Sequence, residues 1–162
     1  MIRLVDNIPN QYKSVKLPTG LIFHAPKTDE YHLIDTKTGR ILGKMRANIS
    51  KDVENLYKKG KKTSVFYINY LRIREHAQRQ GWGKYLIDFA KNKSLETKCE
   101  GRISLYAFNV VEAPHLFYRK LGFASRSKIK NKKMDQYIEN KKPYTSWMGL
   151  KMYLPIENIQ KS

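Results

Sequence analysis

One segment of the sequence combines a strand-like apolar run, two glycines and several cations, which is the pattern of an anion-binding turn. It runs from Leu71 to Lys84 and places Gly81 and Gly83 where a helix is predicted to begin. The first turn of a helix leaves backbone N–H groups without intrahelical partners, and the helix dipole adds partial positive charge there. Glycines let an anion approach the backbone closely, and Arg79 adds a full charge. The segment therefore predicts a phosphate site.

Two other phosphate motifs do not fit this turn. A dinucleotide-binding fingerprint requires a third glycine where Leu86 stands, and a P-loop requires four residues between its glycines followed by Lys-Ser or Lys-Thr. A glycine turn that opens a helix is also common as a purely structural feature. The turn alone therefore leaves a structural and a phosphate-binding interpretation open.

The second segment that could do chemistry runs from Asn109 to Phe123 and ends in Phe-Tyr-Arg-Lys-Leu-Gly-Phe. A tyrosine hydroxyl, with an ordinary pKa of about 10, can act as a general acid. Tyr118 is the tyrosine of this segment. Without further context, a helix aromatic of this kind is more often a packing residue than an acid.

The first segment resembles motif A of the GCN5-related N-acetyltransferases, the GNAT superfamily. Leu71-x-Ile73, four residues and then Gln78-x-x-Gly81-x-Gly83 is similar to the strand and turn that hold acetyl-CoA in that family. The resemblance implies that backbone groups of the strand contact the pantetheine arm and that the turn binds the pyrophosphate. The implied cofactor-binding residues are Leu71, Arg72, Ile73, Gln78, Arg79, Gln80, Gly81, Trp82, Gly83 and Lys84.

The second segment is similar to motif B of the same family, and the two motifs stand in the family's order. The resemblance implies that Asn109 contacts the pantetheine arm and that Tyr118 lies by the sulfur as the catalytic acid. It implies an acetyl-CoA-dependent N-acyltransferase that transfers an acetyl group to an amine by direct attack. The resemblance is good over residues 65–123, loose at the C-terminal strand and poor over the first sixty residues.

The general base is where this sequence departs from the family pattern. Many members carry a carboxylate on the central strand, but residues 65–73 contain none. Glu75 follows the residues implied to hold the cofactor and is a poor candidate. Tyr67, Tyr70, His76 or a water chain ending on backbone carbonyls remain alternatives, and an acceptor amine of low pKa would need no strong base.

Hydrophobic periodicity and capping signals predict an α/β (α+β) fold, built by residues 1–162 as a single domain. The resemblance implies a mostly antiparallel central sheet with a splayed strand pair, flanked by helices. Residues 9–18 look irregular where the family has two helices, so the acceptor wall is expected to differ. The predicted strands are 31–35, 40–49, 65–73, 102–108 and 147–154, and the predicted helices are 50–59, 82–95, 113–121 and 134–139.

The charge is the unusual bulk property of the chain. It has 32 Lys and Arg residues against 14 Asp and Glu residues, a net charge of +18. Such a field favours polyanionic partners and repels small polycationic substrates, although a lysine-rich surface also serves solubility alone. Residues 126–142 are the most basic stretch and predict a contact with RNA or an acidic carrier protein.

The remaining composition excludes several classes of site. Cys99 is the single cysteine, and the four histidines lack ligand spacing, so neither a disulfide nor a metal site is predicted. The sequence has no apolar run of about 20 residues, the length that a membrane span requires, so no membrane contact is predicted. Residues 1–10 lack the apolar core of a signal peptide. The expected location is the cytoplasm.

Several acceptors and one other class of function remain open at this stage. The acceptor amine could belong to a protein, to RNA such as aminoacyl-tRNA, or to a small molecule. The acyl group could also come from an acidic carrier protein. The alternative from a different class is a non-catalytic nucleic-acid-binding module with a GNAT-like core, against which the intact Asn109, Tyr118 and glycines argue. The oligomeric state is left open, a homodimer included.

Overall fold

The computed structural model describes residues 3–6, 20–25, 28–57, 63–108, 114–140 and 149–159. Contacts divide the chain into two compact units, Met1–Asn48 with Ile68–Asn92 and Ile49–Tyr67 with Lys93–Ser162. Three elements, β4, β5 and α1, contribute residues to both units. The strands are β1 Arg3–Asp6, β2 Gly20–Ala25, β3 Glu30–Asp35, β4 Ile41–Lys51, β5 Ser64–Ile73, β6 Ile103–Phe108 and β7 Gly149–Tyr153. The helices are α1 Trp82–Leu95, α2 Pro114–Lys120, α3 Lys128–Asn140 and α4 Ile156–Ile159.

The first unit is built on antiparallel pairing of β1 with β2, β2 with β3, and β3 with β4. Strand alternation gives β3 and β4 two different faces. Tyr31 is buried and makes an edge contact with Phe89 of α1 at 5.2 Å between ring centroids. The neighbouring polar residues point the other way, with His32 opposite Lys44 in the register. One face of this sheet is therefore apolar and the other is polar.

Helix α1 occupies the predicted residues and packs its apolar side in the core. Leu86 and Ala90 are fully buried, as the 3.6-residue period predicts. Asp88 of the same helix is also buried, with only 3% of its surface exposed. Lys84, one turn earlier, lies 2.8 Å from its carboxylate, and this ion pair lets the acid enter the core.

The second unit pairs β6 with β7 in antiparallel register. The N–H of Phe66, at the start of β5, donates to the Arg102 carbonyl just before β6. Helix α2 ends at Lys120, and Gly122 just after it has a φ of +96°, the left-handed conformation of a helix C-cap. Phe123 follows and is fully buried.

A tyrosine ties three segments of the second unit together. The Tyr57 hydroxyl lies 2.6 Å from the Leu154 carbonyl and 2.9 Å from the Ile103 carbonyl, and it accepts the Ile103 N–H at 3.0 Å. Helix α3 is joined to α2 by Arg119, whose guanidinium makes two bonds of 2.7 and 2.8 Å to Asp135.

The predicted helix over residues 50–59 was wrong. Strand β4 continues to Lys51, and residues 53–57 form turns. The Asp52 carboxylate accepts the Tyr57 N–H at 2.9 Å, and Asn55 adopts a positive φ of 54°, which a helix does not allow. Side chains that could cap a helix, such as that of Asp52, therefore stabilise a turn here.

The other predicted elements agree with the structure where it describes them. The turn after β3 has Gly39 at a φ of +70°, which favours glycine. Helix α3 is longer than the predicted 134–139, and β1 and β2 were not predicted. Predictions for residues 9–18, 58–59, 109, 141–142 and 147–148 lie outside the described residues. The mixed α/β class with mostly antiparallel strands is confirmed, and the single domain stays a prediction.

No helix in the described part of the chain is long and apolar enough to cross a membrane.

Candidate functional site

The predicted anion-binding turn lies in the first unit, between β5 and α1. A 3-10 turn at Glu75–Ala77 follows the strand, and then the chain reverses with Arg79 at a φ of +63° and Gly81 at +89°. The Gln78 side-chain amide donates to the Ile73 carbonyl at 3.1 Å. This bond fastens the turn to the end of β5, so local hydrogen bonding holds the turn in shape.

The turn presents backbone donors, as expected of an anion site. The first helical bond runs from the Tyr85 N–H to the Gly81 carbonyl at 3.0 Å. Among the described residues, no acceptor receives the backbone N–H groups of Gln80, Gly81, Trp82 or Gly83. Grouped N–H donors at a helix start suit an anion with several oxygens. The turn therefore fits the pyrophosphate of acetyl-CoA.

The two cations of the turn are held differently. Lys84 donates to Asp88 at 2.8 Å, which neutralises part of its charge. Arg79 is exposed and makes no ion pair with any residue that the structure describes. Arg79 and the backbone amides therefore supply most of the local attraction for an anion.

The three β5 residues implied to contact pantetheine lie at the C-terminal end of the strand. Leu71 and Ile73 are half-buried and Arg72 is exposed. Strand β4 approaches closely at Gly43, where a Cβ would lie 2.7 Å from Ile73 Cδ1 and 2.8 Å from the Arg72 carbonyl oxygen. Any residue larger than glycine at position 43 would therefore displace this stretch of β5.

Tyr118 belongs to α2 in the second unit and is 7% exposed. Its ring lies 5.2 Å from that of Phe117 and 5.8 Å from that of Phe123. Burial raises the pKa of Tyr118 to about 12. The hydroxyl is therefore a weaker acid here than a tyrosine with the ordinary pKa of about 10. Asn109, its predicted companion, lies outside the described residues.

Tyr70 is the base candidate with the most developed surroundings. Its hydroxyl hydrogen-bonds the Glu30 carboxylate, which also accepts the His32 Nε2–H at 2.9 Å when His32 carries its proton there. Burial first, and then Glu30, raises the pKa of Tyr70. Hydrogen bonds from His32 and Tyr70 lower the pKa of Glu30. Tyr70 is thus kept protonated, and it can relay a proton only by passing its own to Glu30.

The other base candidates are less well placed for proton transfer. Tyr67 lies under the Lys151 ammonium, 4.5 Å from the ring centroid, and burial raises its pKa. His76 is exposed and lines an open groove of about 530 Å³ with Arg40 and Arg74. Glu75 is exposed in the 3-10 turn. None of these three side chains is held by a carboxylate within the described residues.

Two features that the fold assembles on the polar face were not predicted from the sequence. One is the group formed by Glu30, His32 and Tyr70, and the other is the placement of Lys44 beside Tyr70. The only signal in the sequence was the alternation of polar and apolar residues along β3 and β4. No three His, Cys, Asp or Glu side chains gather as a metal site in the described part of the chain.

The comparisons with known proteins agree with this architecture. Residues 28–125 match the family model of the acetyltransferase (GNAT) domain. No curated protein sequence matches the chain. A mutant AtaT toxin, bound to the C-terminus of the antitoxin AtaR and acetyl-CoA, is similar at 21% identity and a TM-score of 0.51, over 86% of this chain and 71% of that one.

Two further solved structures share the fold. Naa20 of Chaetomium thermophilum, in complex with a bisubstrate analogue, is 16% identical with a TM-score of 0.54, covering 82% of this chain and 68% of its own. A bacterial toxin is 16% identical with a TM-score of 0.56, covering 97% and 82%. Since the family model spans more than half of the sequence, the chain belongs to the GNAT acetyltransferase family.

Proposed function

We propose that this protein is an N-acetyltransferase that uses acetyl-CoA as its donor. The observation that carries the proposal is the turn before α1, where the successive backbone N–H groups of Gln80, Gly81, Trp82 and Gly83 have no acceptor among the described residues. The GNAT domain match and a neighbour bound to acetyl-CoA support it. Bound acetyl-CoA supplies an activated thioester.

The remaining roles follow from the family resemblance and the local chemistry. Backbone groups of Leu71, Arg72 and Ile73 bind the pantetheine arm, Asn109 contacts it, and N–H donors near the thioester polarise its carbonyl. Tyr118 protonates the departing sulfur. Tyr118 is protonated at neutral pH and can therefore donate its proton, although burial, which raises its pKa to about 12, makes it a weaker acid than an exposed tyrosine.

The acceptor we propose is an amine on a macromolecule, either a protein or an RNA. The net charge of +18 favours a polyanionic acceptor. In the described part of the basic stretch 126–142, Lys128, Lys132 and Lys133 are exposed on α3 and can attract such a partner. The non-catalytic nucleic-acid-binding module is not favoured. A cytoplasmic location and a homodimer remain proposals.

The test combines binding with an acceptor screen. Acetyl-CoA at one hundred times its dissociation constant should stabilise the protein by about 2.7 kcal/mol. Intact-mass analysis with isotope-labelled acetyl-CoA would then be run on N-terminal peptides, tRNA and small amines, with Tyr118→Phe as the matched control. A wild-type protein that neither binds acetyl-CoA nor labels any of these acceptors would refute the proposed function.

A further inference from the structure

A cavity of about 520 Å³ opens on the polar side of the first unit, at the C-terminal end of β5. Three of the six residues that line it are cations, and none is acidic. We call it the cationic cavity. Its lining residues are Gly43, Lys44, Tyr70, Arg72, Ile73 and Arg74.

The cations of the cavity are not neutralised by neighbouring acids. Neither Lys44, Arg72 nor Arg74 forms an ion pair with a residue in the described ranges. Elsewhere in the same unit, Lys84 and Lys91 both lie beside Asp88. Like charges in a concave site repel one another, and an anion that enters relieves this repulsion.

The nearest carboxylate is already engaged by other groups. Glu30 lies close enough to Lys44 to have its pKa lowered by that cation. Its main partners, however, are His32 at 2.9 Å and the Tyr70 hydroxyl. Glu30 therefore orients Tyr70 at the cavity wall and leaves the ammonium of Lys44 available to a ligand.

A second recess extends the positive surface. The open groove of about 530 Å³ is lined by Arg40, Ile41, Arg74 and His76. It shares Arg74 with the cationic cavity, so that the basic groups continue from one recess to the other. A chain of phosphates spaced along a backbone matches such a row better than one isolated anion does.

We propose that the cationic cavity binds backbone phosphates of an RNA, with the Tyr70 ring available to a base or ribose. The proposal rests on the proposed function only in taking this RNA to be the carrier of the acceptor amine. The turn at residues 78–84 already provides for the cofactor pyrophosphate. The exposed lysines of α3 lie on the outer surface of a helix, so they add long-range attraction and fewer fixed contacts.

The experiment measures binding of a fluorescein-labelled 12-nucleotide single-stranded RNA by anisotropy across a range of salt concentrations. The test variant is Lys44→Gln with Arg74→Gln. Its charge-matched control is Lys98→Gln with Lys120→Gln, two exposed lysines that line neither recess. A second comparison is Lys128→Gln with Lys132→Gln on α3. Polyglutamate is the competitor, and circular dichroism checks the fold.

The cavity variant should bind RNA about tenfold more weakly, and its log–log salt slope should fall by about 1.4. Both comparison variants should lose about threefold or less. Equal losses in all three variants, a larger loss in the α3 variant, or no RNA binding by wild type would overturn the proposal. So would competition by polyglutamate at the same charge concentration as RNA, which would indicate an acidic protein.

The cofactor's own phosphate is the remaining source to separate. Acetyl-CoA and its analogue lacking the 3′-phosphate would be compared by calorimetry on wild type and on the cavity variant. The ratio of the two affinities should be the same in both proteins. If the two affinities became equal in the cavity variant, the cationic cavity would bind the 3′-phosphate of the cofactor, and the proposal would be overturned. A wild-type protein that binds RNA but does not bind acetyl-CoA would instead refute only the proposed function.

Discussion

Gly83 offers the sharpest test of the anion-binding turn, because stability and cofactor affinity should change in opposite directions there. Gly83 is the second residue of α1. Replacing a glycine in a helix by a residue with a side chain stabilises by about 0.5–1 kcal/mol. Gly83→Ala and Gly83→Glu should therefore both raise the thermal midpoint by about 1–4 °C. A carboxylate near the N-terminus also suits the helix dipole.

The two variants should differ in their affinity for acetyl-CoA. A carboxylate about 5 Å from a phosphate charge is repelled by about 3 kcal/mol at an effective dielectric constant of about 20. Physiological salt roughly halves that repulsion. The remaining 1.6 kcal/mol or so corresponds to a loss of more than about tenfold for Gly83→Glu, whereas Ala adds no charge. Calorimetry that finds Gly83→Glu within about threefold of Gly83→Ala would refute the assignment of this turn to the pyrophosphate.

Three further predictions concern acid catalysis, the pH dependence of stability and an ion pair. Tyr118→Phe should lower turnover by about 100-fold with little change in acetyl-CoA affinity, and unchanged turnover would leave Tyr118 a packing residue. Glu30, with a pKa lowered from 4.5, should stabilise the fold fully above about pH 5 and lose this contribution as the pH falls through its folded-state pKa. Glu30→Gln should flatten that acid limb in thermal melts, and an unaltered limb would contradict it. Arg119→Lys should lower stability by about 1 kcal/mol, because lysine cannot reproduce the two bonds to Asp135. Urea denaturation would measure it, and an unchanged midpoint would show that the pair contributes nothing.

The sequence predicted the elements that depend on local signals. Residues 82–95 show an apolar stripe at helical spacing, and the helix begins and ends at those residues. The prediction failed where side chains could serve a turn as well as a helix. Asp52 would suit the first turn of a helix, but its carboxylate instead accepts the Tyr57 N–H across a turn. Short-range preferences cannot distinguish the two when a neighbouring strand decides the outcome.

The candidate site likewise has one part that the sequence predicted and one part that it did not. The turn at residues 78–84 is continuous in sequence, so its glycines and the following helix were sufficient to predict it. The cationic cavity is assembled from β4 and β5, and its orienting acid comes from β3. Which of those side chains share a face depends on the strand register, including the irregularity between Leu33 and Ile34. A one-residue shift would have turned Lys44 to the other face.

The hydroxyl of Tyr57 gives the second unit a built-in reporter of its opening. The oxygen has one hydrogen, so at any moment it can donate to only one of the two carbonyls it approaches, that of Ile103 or that of Leu154. The Ile103 amide, in turn, bonds to that same oxygen. Deuterium can therefore enter at Ile103 only when the loop at Tyr57 separates from β6, and the exchange rate of this one amide follows that separation directly.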